Sequence, residues 1–196
     1  MIKWGILGLG NMGNRFAEAI KETKNAKLSS VASLNNSRLD AFSNKFQIDK
    51  KNCLNDYEEL IKSDDVDAIY ISTLNNTHLD LVKKCANSKK NILCEKPLGL
   101  NYNQAAVAKK YIDDNNIKFY EAIAYYSHPQ TELLKKLISE NEIGEVEEID
   151  STFGFKTRVK PSSRLFNKEL GGGAILDVGC YPISFLMLFE NNKNNI

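Results

Sequence analysis

Short apolar runs alternate with segments of helical periodicity along the first 122 residues of the chain. Runs bounded by glycine or polar residues predict buried strands at 2–8, 27–33, 66–73 and 91–95. Apolar side chains that recur at helical spacing predict helices at 11–23, 37–46, 56–62, 77–88 and 101–115. Strands that alternate with helices of about ten residues indicate βαβ units. The pattern therefore predicts an α/β fold, a Rossmann-type doubly wound parallel sheet, over residues 1–122.

Capping residues mark the starts of three predicted helices. Asp56 is followed by Glu59, and Asn101 by Gln104, so both pairs have the spacing of a capping box. Thr77 begins the helix at 77–88 and is a good N-cap residue. These caps fix where the preceding strands and loops must end.

A different pattern begins after residue 122. Residues 131–141 are amphipathic at helical spacing, and residues 145–155 partly alternate, which predicts a strand of antiparallel type with one solvated face. Its apolar side chains are Ile149, Phe153 and Phe155. We therefore expect residues 123–196 to be the start of an incomplete α+β domain with an open antiparallel sheet. The polar, asparagine-rich segment ENNKNNI at the end is expected to be frayed.

Composition limits the classes of function. The chain of 196 residues is 42% hydrophobic and 26% charged, as ordinary soluble globular proteins are. Its net charge of +1 gives no general attraction to nucleic acid or to membranes. No apolar run approaches the ~18 residues that span a bilayer, and the N-terminus lacks the small-residue cleavage site of a signal peptide. We therefore expect a cytoplasmic protein with neither a nucleic-acid nor a membrane partner.

Four cysteines stand at positions 53, 85, 94 and 180, and no two of them form a C-x-x-C pair. Only His78 and His128 are available to complete a metal site with them. We therefore predict no metal site. Reduced thiols in a cytosol are the simpler interpretation.

The segment GLGNMG follows the first predicted strand and opens the first predicted helix. Gly8 would permit a tight turn, Gly10 a close approach of a pyrophosphate, and Gly13 close packing of the helix on the sheet. Asn11 and Met12 lie at the helix N-terminus, whose free N–H groups attract anions. We predict a dinucleotide-binding loop here. The alternative is a glycine-rich turn without a ligand.

The end of the second predicted strand bears on which dinucleotide binds. NAD sites of this type carry an Asp or Glu about 20 residues after the glycine loop, bonded to the adenine ribose. Here Ser33 is followed by Leu-Asn-Asn, without an acid, and Arg38 comes just beyond. An arginine without a carboxylate suits a 2′-phosphate, so NADP is favoured over NAD. The alternative is that Arg38 is a solvated helix residue.

Polar residues follow two other predicted strands, at the carboxyl ends where ligands bind in open α/β sheets. One group is Thr73, Leu74, Asn75, Asn76, Thr77 and His78, and the other is Glu95, Lys96 and Pro97. Lys96 is predicted to lie where a nicotinamide and a substrate meet. The alternative is a surface turn with a chance ion pair. His78 has two interpretations: it contacts the cofactor, or it is a residue of the first helical turn whose side chain bonds the backbone.

An apolar helix predicted at 173–189 carries Asp177 and Tyr181 four residues apart, on one face. Pro182 is expected to kink that helix or to end its first segment. A carboxylate in apolar surroundings needs a partner, and Lys96 is the natural candidate. An ammonium group near Tyr181 would lower its pKa and make the phenol a proton relay. The alternative is a helix cap beside a packed tyrosine.

Four segments occur in one order: GLGNMG, CEKPLGLN, EAIAYYSHPQ and LGGGAILDVGCYPI. In these motifs the whole chain resembles the glucose-fructose oxidoreductase, inositol dehydrogenase and MocA family, in its dihydrodiol and sugar dehydrogenase branch. The resemblance implies that Lys96 and the Asp177–Tyr181 pair face the nicotinamide. It also implies a cis Lys96–Pro97 bond and cofactor contacts from residues 73–78, Glu95 and Arg164.

The chain also departs from the family pattern. Branches that take NADP often have Ser-Arg where this chain has Ser33-Leu34, and the common MYR is Ala124-Tyr125-Tyr126. Family members exceed 300 residues and continue into a large open sheet. We therefore expect a C-terminally truncated chain that exposes an apolar face and turns over little by itself. In full-length form a homo-oligomer is expected.

The sequence favours an NAD(P)-dependent dehydrogenase that transfers a hydride between a nicotinamide and a sugar, polyol or vicinal diol. Two alternatives share the fold. One is a non-catalytic nucleotide-binding sensor, against which the set Lys96, Asp177 and Tyr181 argues. The other is an NAD-dependent glycosidase, which returns the hydride to its substrate.

Overall fold

The computed structural model describes residues 1–190 and divides the chain into two compact units. The first unit comprises Met1–Ala122, and the second begins at Ile123. The asparagine-rich end that the sequence predicts to be frayed lies, beyond Glu190, outside the described residues. Each unit is considered by itself below.

Six parallel strands form the sheet of the first unit, in the order β3-β2-β1-β4-β5-β6. They are β1 Ile2–Leu7, β2 Ala26–Ala32, β3 Cys53–Leu54, β4 Ala68–Ile71, β5 Asn91–Cys94 and β6 Phe119–Glu121. This is the strand order of dinucleotide-binding sheets. The predicted Rossmann-type α/β fold is therefore confirmed. The sequence did not reveal β3 and β6, because strands of two and three residues are too short to show a period.

Five helices connect these strands: α1 Asn11–Lys21, α2 Asn36–Phe46, α3 Tyr57–Lys62, α4 His78–Asn87 and α5 Tyr102–Asn115. The side chain of Asn101 caps α5 by accepting a hydrogen bond from the Gln104 backbone N–H at 3.0 Å. Gln104 reaches back to the Leu100 N–H at 2.9 Å, one residue earlier than in a standard capping box. Asp56 caps α3 by accepting from the Glu58 N–H.

Apolar clusters cover both faces of the sheet. Along β4, Ile69 and Ile71 belong to one cluster and Tyr70 to the other, because side chains alternate across a strand. The first cluster includes Leu7, Leu60 and Val82, all at 0% exposure. Burial of each such aliphatic side chain contributes roughly 1.5–3 kcal/mol. The helices are thereby fixed on the sheet, and with them the loops at its carboxyl edge.

Between residues 123 and 190, the second unit contains two regular α-helices, α6 Pro129–Ser139 and α7 Cys180–Glu190. Within residues 123–190 the structure has no strand, so the strand predicted at 145–155 is wrong. Phe153 and Phe155 are 53% and 57% exposed. A strand needs a neighbour for its backbone N–H and C=O groups, and no other strand of this unit lies within the described residues to supply one.

The segment Lys168–Phe189, which includes most of α7, has a mean hydropathy of 1.6 over its most apolar window. By length and composition alone it is able to cross a membrane, although the sequence analysis expected no such run. Only 17% of that window is buried. Core helices of soluble proteins pass the same test of length and composition, so it is weak evidence for a membrane span.

Candidate cofactor and catalytic site

The glycine loop joins β1 to α1, and two of its glycines are required by the fold itself. Gly8 has a φ of +89°, which L side chains rarely adopt. A Cβ on Gly13 would lie 2.5 Å from the carbonyl oxygen of Gly8, which is closer than real contacts allow. These two positions are therefore explained by the tight turn and by the close approach of α1 to the loop.

Gly10 differs, because a Cβ added there would meet no atom within 4 Å. Gly10 is the N-cap residue of α1, and no side chain caps the helix. Asn11 and Met12 follow as exposed residues, and the first turn carries no acid. The helix thus presents uncapped N–H groups, with a partial positive charge, to an open space. This arrangement suits a pyrophosphate.

Ser72, the first residue after β4, supports the glycine loop. Its hydroxyl donates to the Gly8 carbonyl oxygen at 2.6 Å. The backbone N–H of Ser72 also bonds to the Leu7 carbonyl at 2.9 Å. The sequence analysis missed this residue, although a hydroxyl directly after the strand next to β1 is a signal that could have identified it.

The segment after β2 is arranged around backbone turns. Ser33 is 4% exposed, and its hydroxyl oxygen accepts from the Asn35 N–H at 3.2 Å. Asn35 in turn caps α2 by accepting from the Arg38 N–H at 3.0 Å. The Arg38 side chain is exposed and lies near Tyr57, whose pKa is raised by burial and drawn down by the arginine. No acid lies in the first turn of α2.

A 3₁₀ turn at Asn75–Thr77 follows β4 and precedes α4. Thr77 occupies the predicted N-cap position but does not cap, because its hydroxyl instead donates to the Leu74 carbonyl at 2.7 Å. Its oxygen also lies 2.6 Å from the Thr73 hydroxyl oxygen. Leu74 and Asn76 are exposed, whereas Asn75 is buried. The exposed part of the predicted contact segment is thus Leu74 and Asn76.

His78 bonds the backbone, as in the alternative considered from the sequence. Its Nδ1 lies 2.8 Å from the Pro97 carbonyl oxygen, and the side chain is 0% exposed. Burial lowers the pKa of His78, so the neutral ring donates from Nδ1. Its Nε2 is buried without a hydrogen-bond partner among the described residues. The ring is therefore fully enclosed by the protein, and no part of it is exposed to a ligand at the surface.

The Glu95-Lys96-Pro97 turn begins directly after β5. Its Lys96–Pro97 bond is cis, as the family resemblance implies. The Tyr70 hydroxyl, which is part of the core, donates to the Glu95 carboxylate. Lys96 is partly buried. The residues on both sides of Lys96 are thus bonded to regular elements, Glu95 to Tyr70 of β4 and Pro97 to His78 of α4.

In the second unit, Asp177 and Tyr181 lie on different helical types. Asp177 belongs to a π-helical segment, Ile175–Gly179, and Tyr181 to the first turn of α7. The continuous α-helix predicted over 173–189 is therefore wrong in its first part. Pro182 is the third residue of α7 and follows the π-helical segment closely, so the helical geometry changes just before the proline that was expected to kink the helix or to end its first segment.

Asp177 is 7% exposed. One of its partners is Arg164, whose Nη1 lies 3.0 Å from Oδ1 of Asp177. The sequence analysis expected Lys96 as the partner of Asp177 and the cofactor as the partner of Arg164. The arginine was not foreseen beside the carboxylate, because the two residues are 13 positions apart in an irregular segment. The arginine thus provides the partner that a carboxyl group in apolar surroundings needs.

A cavity of about 280 Å³ adjoins Tyr181 within the second unit. Its lining consists of aromatic, small and hydroxyl-bearing residues, namely Ala124, Tyr125, Ser151, Thr152, Phe153, Tyr181, Pro182 and Phe185. The Phe153 and Tyr181 ring centroids are 5.0 Å apart. No charged side chain lines this cavity, which is therefore suited to a neutral ligand with an apolar face.

A larger cavity of about 420 Å³ lies in the first unit, at the amino-terminal end of β2. It is lined by the end of α1, the start of β2 and residues 46–52. Ligands of open parallel sheets bind at the carboxyl ends of the strands. Its position is thus the opposite of that expected for a cofactor. Within residues 1–190, no group of three or more His, Cys, Asp or Glu residues is arranged to hold a metal ion.

Comparison with known families matches both parts of the chain. Residues 2–142 match the GFO/IDH/MocA model, described as an oxidoreductase family with an NAD-binding Rossmann fold. Residues 131–192 match the model of the GFO/IDH/MocA C-terminal domain. The two matches together span nearly the whole sequence.

Among curated relatives, trans-1,2-dihydrobenzene-1,2-diol dehydrogenase of Xenopus tropicalis is 34% identical over 197 residues. The match covers 97% of this chain and 57% of that protein. D-xylose 1-dehydrogenase (NADP(+)) 2 of Haloferax volcanii is 31% identical, and that match covers 98% of this chain and 58% of that protein. The chain thus spans somewhat more than half the length of these relatives.

Solved structures share the fold. A 3-ketoreductase from Actinomadura kijaniata, in complex with TDP-benzene and NADP, superposes with a TM-score of 0.86 at 25% identity. That match covers 96% of this chain and 57% of the other. Scyllo-inositol dehydrogenase from Lactobacillus casei, with NAD(H) and scyllo-inositol, superposes with a TM-score of 0.69 at 26% identity. That match covers 74% of this chain and 43% of the other. With the family match over residues 2–142, these similarities show that the chain belongs to the GFO/IDH/MocA oxidoreductase family.

Proposed function

We propose that the protein is an NADP-dependent oxidoreductase that transfers a hydride between the nicotinamide and a neutral sugar, polyol or vicinal diol. The observation that carries this proposal is the open space at Gly10, where an added Cβ would meet no atom within 4 Å and no side chain caps the N-terminus of α1. A ligand with a pyrophosphate accounts for a glycine that the fold itself does not require.

Gly10, Asn11 and Met12 would hold the pyrophosphate through their backbone, and Leu74 and Asn76 are exposed on the neighbouring loop. When bound, the dinucleotide supplies the hydride donor or acceptor. Arg38 would meet a 2′-phosphate at the N-terminus of α2, where no acid opposes it. One relative is named with NADP(+), and two solved structures hold NADP and NAD(H) respectively. The preference for NADP therefore rests on Arg38.

Tyr181 and Lys96 would manage the proton. A free tyrosine has a pKa of about 10, so its phenol exchanges a proton near neutral pH only with the help of a positive charge. Lys96 carries that charge in this proposal, and Tyr181 donates or accepts the proton of the substrate hydroxyl. Asp177 lies 3.0 Å from Arg164 and is held in place by it. The chain's own task is thus to orient the substrate and to move one proton.

The cavity beside Tyr181 supports the class of substrate. Its rings would cover the apolar face of a sugar or of a cyclic diol, and the hydroxyls of Ser151 and Thr152 would bond the polar edge. A phosphorylated or acidic substrate would find no cation in that lining. The names of the relatives, a dihydrodiol dehydrogenase and a xylose dehydrogenase, agree with a neutral diol or sugar.

A panel of aldoses, inositols and vicinal diols, each with NADP or NAD, tests the proposal through the absorbance of the reduced nicotinamide. We expect net reduction of NADP with a neutral diol or sugar, slowed by ~10²–10⁴ in Tyr181→Phe and absent with sugar phosphates. Hydrolysis of a glycoside without net reduction would favour the glycosidase alternative. Dinucleotide binding without turnover of any compound would favour the sensor.

A further inference from the structure

The peptide group between Pro97 and Leu98 is bonded at both ends by side chains from other elements. Its carbonyl oxygen lies 2.8 Å from Nδ1 of His78, the first residue of α4. Its N–H donates to Oε1 of Glu121, the last residue of β6, at 2.7 Å. We name this arrangement, His78–(Pro97–Leu98)–Glu121, the peptide clamp.

Both side chains of the clamp are ionisable groups taken out of water. His78 is 0% exposed, and Glu121 is partly buried. Burial raises the pKa of Glu121, and the bond from the Leu98 N–H works against that rise. Desolvation of polar groups costs free energy that hydrogen bonds must offset. An ordinary turn on a protein surface needs no such pair, because water satisfies its backbone.

The clamp acts on the residue directly after Lys96. On the other side of the lysine, the Glu95 N–H bonds to the Ile71 carbonyl at 2.9 Å. Glu121 itself is fixed, because β6 pairs with β5 at Cys94 and the Ala122 N–H bonds to the Cys94 carbonyl at 2.7 Å. The backbone of Lys96 is therefore held from both directions by the sheet and by the clamp.

We propose that His78 and Glu121 are positioning residues for Lys96, and that the peptide clamp fixes the place from which its ammonium group reaches. This inference rests on the proposed role of Lys96 in proton transfer. Proton transfer requires groups held within about 0.5 Å of the productive geometry, and a lysine side chain has four rotatable bonds. Fixing its backbone leaves only these four side-chain torsions to be set by the surroundings of Lys96.

The test uses two measurements that need no turnover. Exchange of the Leu98 amide hydrogen, followed by NMR, is expected to be at least 100-fold slower than in an unfolded chain. The rate at which an amine-acylating reagent modifies Lys96, followed by mass spectrometry, is expected to change at least fivefold in Glu121→Leu. Lys110, exposed on α5, serves as the internal control. Glu121→Gln keeps an acceptor for the Leu98 N–H and is expected to restore the wild-type rate.

An unprotected Leu98 amide in the wild-type protein would overturn the clamp, even if Glu121→Leu fails to fold. Equal modification of Lys96 in wild type, Glu121→Leu and His78→Leu would overturn the positioning role. Both results are independent of catalysis. A failure of the proposed function would instead appear as absent turnover with the clamp and the Lys96 response intact.

Discussion

Replacement of Gly13 by alanine should destabilise the first unit, because the new methyl group has no space. Its Cβ would lie 2.5 Å from the Gly8 carbonyl oxygen and 3.2 Å from the Ser72 hydroxyl oxygen. A carbonyl in a tight turn is unable to rotate away, so α1 has to move outward. Overpacking of this kind costs about 1–3 kcal/mol, and the better helix propensity of alanine returns at most about 1 kcal/mol. We expect a net loss of about 1–2 kcal/mol.

Thermal unfolding followed by circular dichroism measures this loss, since 1 kcal/mol moves the Tm of a domain by roughly 2–8 °C. Gly10→Ala is the matched control, because its Cβ meets no atom and its φ of −80° suits alanine. The control should lose no more than about 1 kcal/mol, because its only cost is that alanine is a poorer N-cap residue than glycine. If Gly13→Ala unfolds at or above the wild-type temperature, the close approach of α1 to the glycine loop is wrong.

Three further predictions concern cofactor choice, pH dependence and proton transfer. Arg38→Ala should weaken NADPH binding at least tenfold and leave NADH binding nearly unchanged in calorimetric titrations; an equal effect on both would remove the 2′-phosphate contact. Burial lowers the pKa of His78 in the folded protein. Below about pH 6.5, the ordinary pKa of histidine, the unfolded chain therefore binds more protons than the folded one, and the free energy of unfolding falls as the pH falls. Between pH 7 and pH 5, urea unfolding should show a smaller loss of stability in His78→Asn than in the wild-type protein. Equal losses in the two proteins would contradict His78 as the cause. In a form that shows turnover, Tyr181→Phe should lower kcat by ~10²–10⁴ with little change in cofactor affinity, and Lys96→Ala by at least as much; near-normal kcat in either variant would refute its role.

Local sequence signals were sufficient for the parts of the fold that satisfy themselves locally. The run at 2–8, the GLGNMG segment and the helix at 11–23 predicted β1, the glycine loop and α1 to within two residues. Asn101 and Gln104 predicted the start of α5, because a cap depends on neighbours in sequence. The Rossmann-type sheet followed from the alternation of such elements.

Features that depend on distant partners were not predictable from one sequence. Glu121 bonds Leu98 only because β6 pairs with β5, and a three-residue strand gives no periodic signal. Thr77 has the right residue type for an N-cap, yet its hydroxyl bonds the preceding turn instead. Arg164 meets Asp177 across an irregular segment. The strand expected at 145–155 failed for the same physical reason, since alternation forms a strand only where a neighbour exists.

The sequence motif predicted a separate role for each of the three glycines, and the structure agrees with two of them. Gly8 and Gly13 are needed by the tight turn and by the close approach of α1, while the chain itself does not need Gly10. The role of Gly10 toward a pyrophosphate stays a prediction. The distinction turns a pattern into a testable statement about one residue and one ligand.

Binding of NADPH to the wild-type chain and to Gly10→Ala tests the central claim most directly. Titration followed by nicotinamide fluorescence, with Tm measured on the same samples, separates loss of a ligand site from loss of the fold. The account predicts saturable binding of one NADPH per wild-type chain. It also predicts at least tenfold weaker binding to Gly10→Ala, about 1.4 kcal/mol, while that variant loses no more than the roughly 1 kcal/mol of an N-cap change and stays folded at the temperature of the titration. Equal binding to both proteins, or none to the folded wild type, would contradict the assignment of the glycine loop as a dinucleotide site.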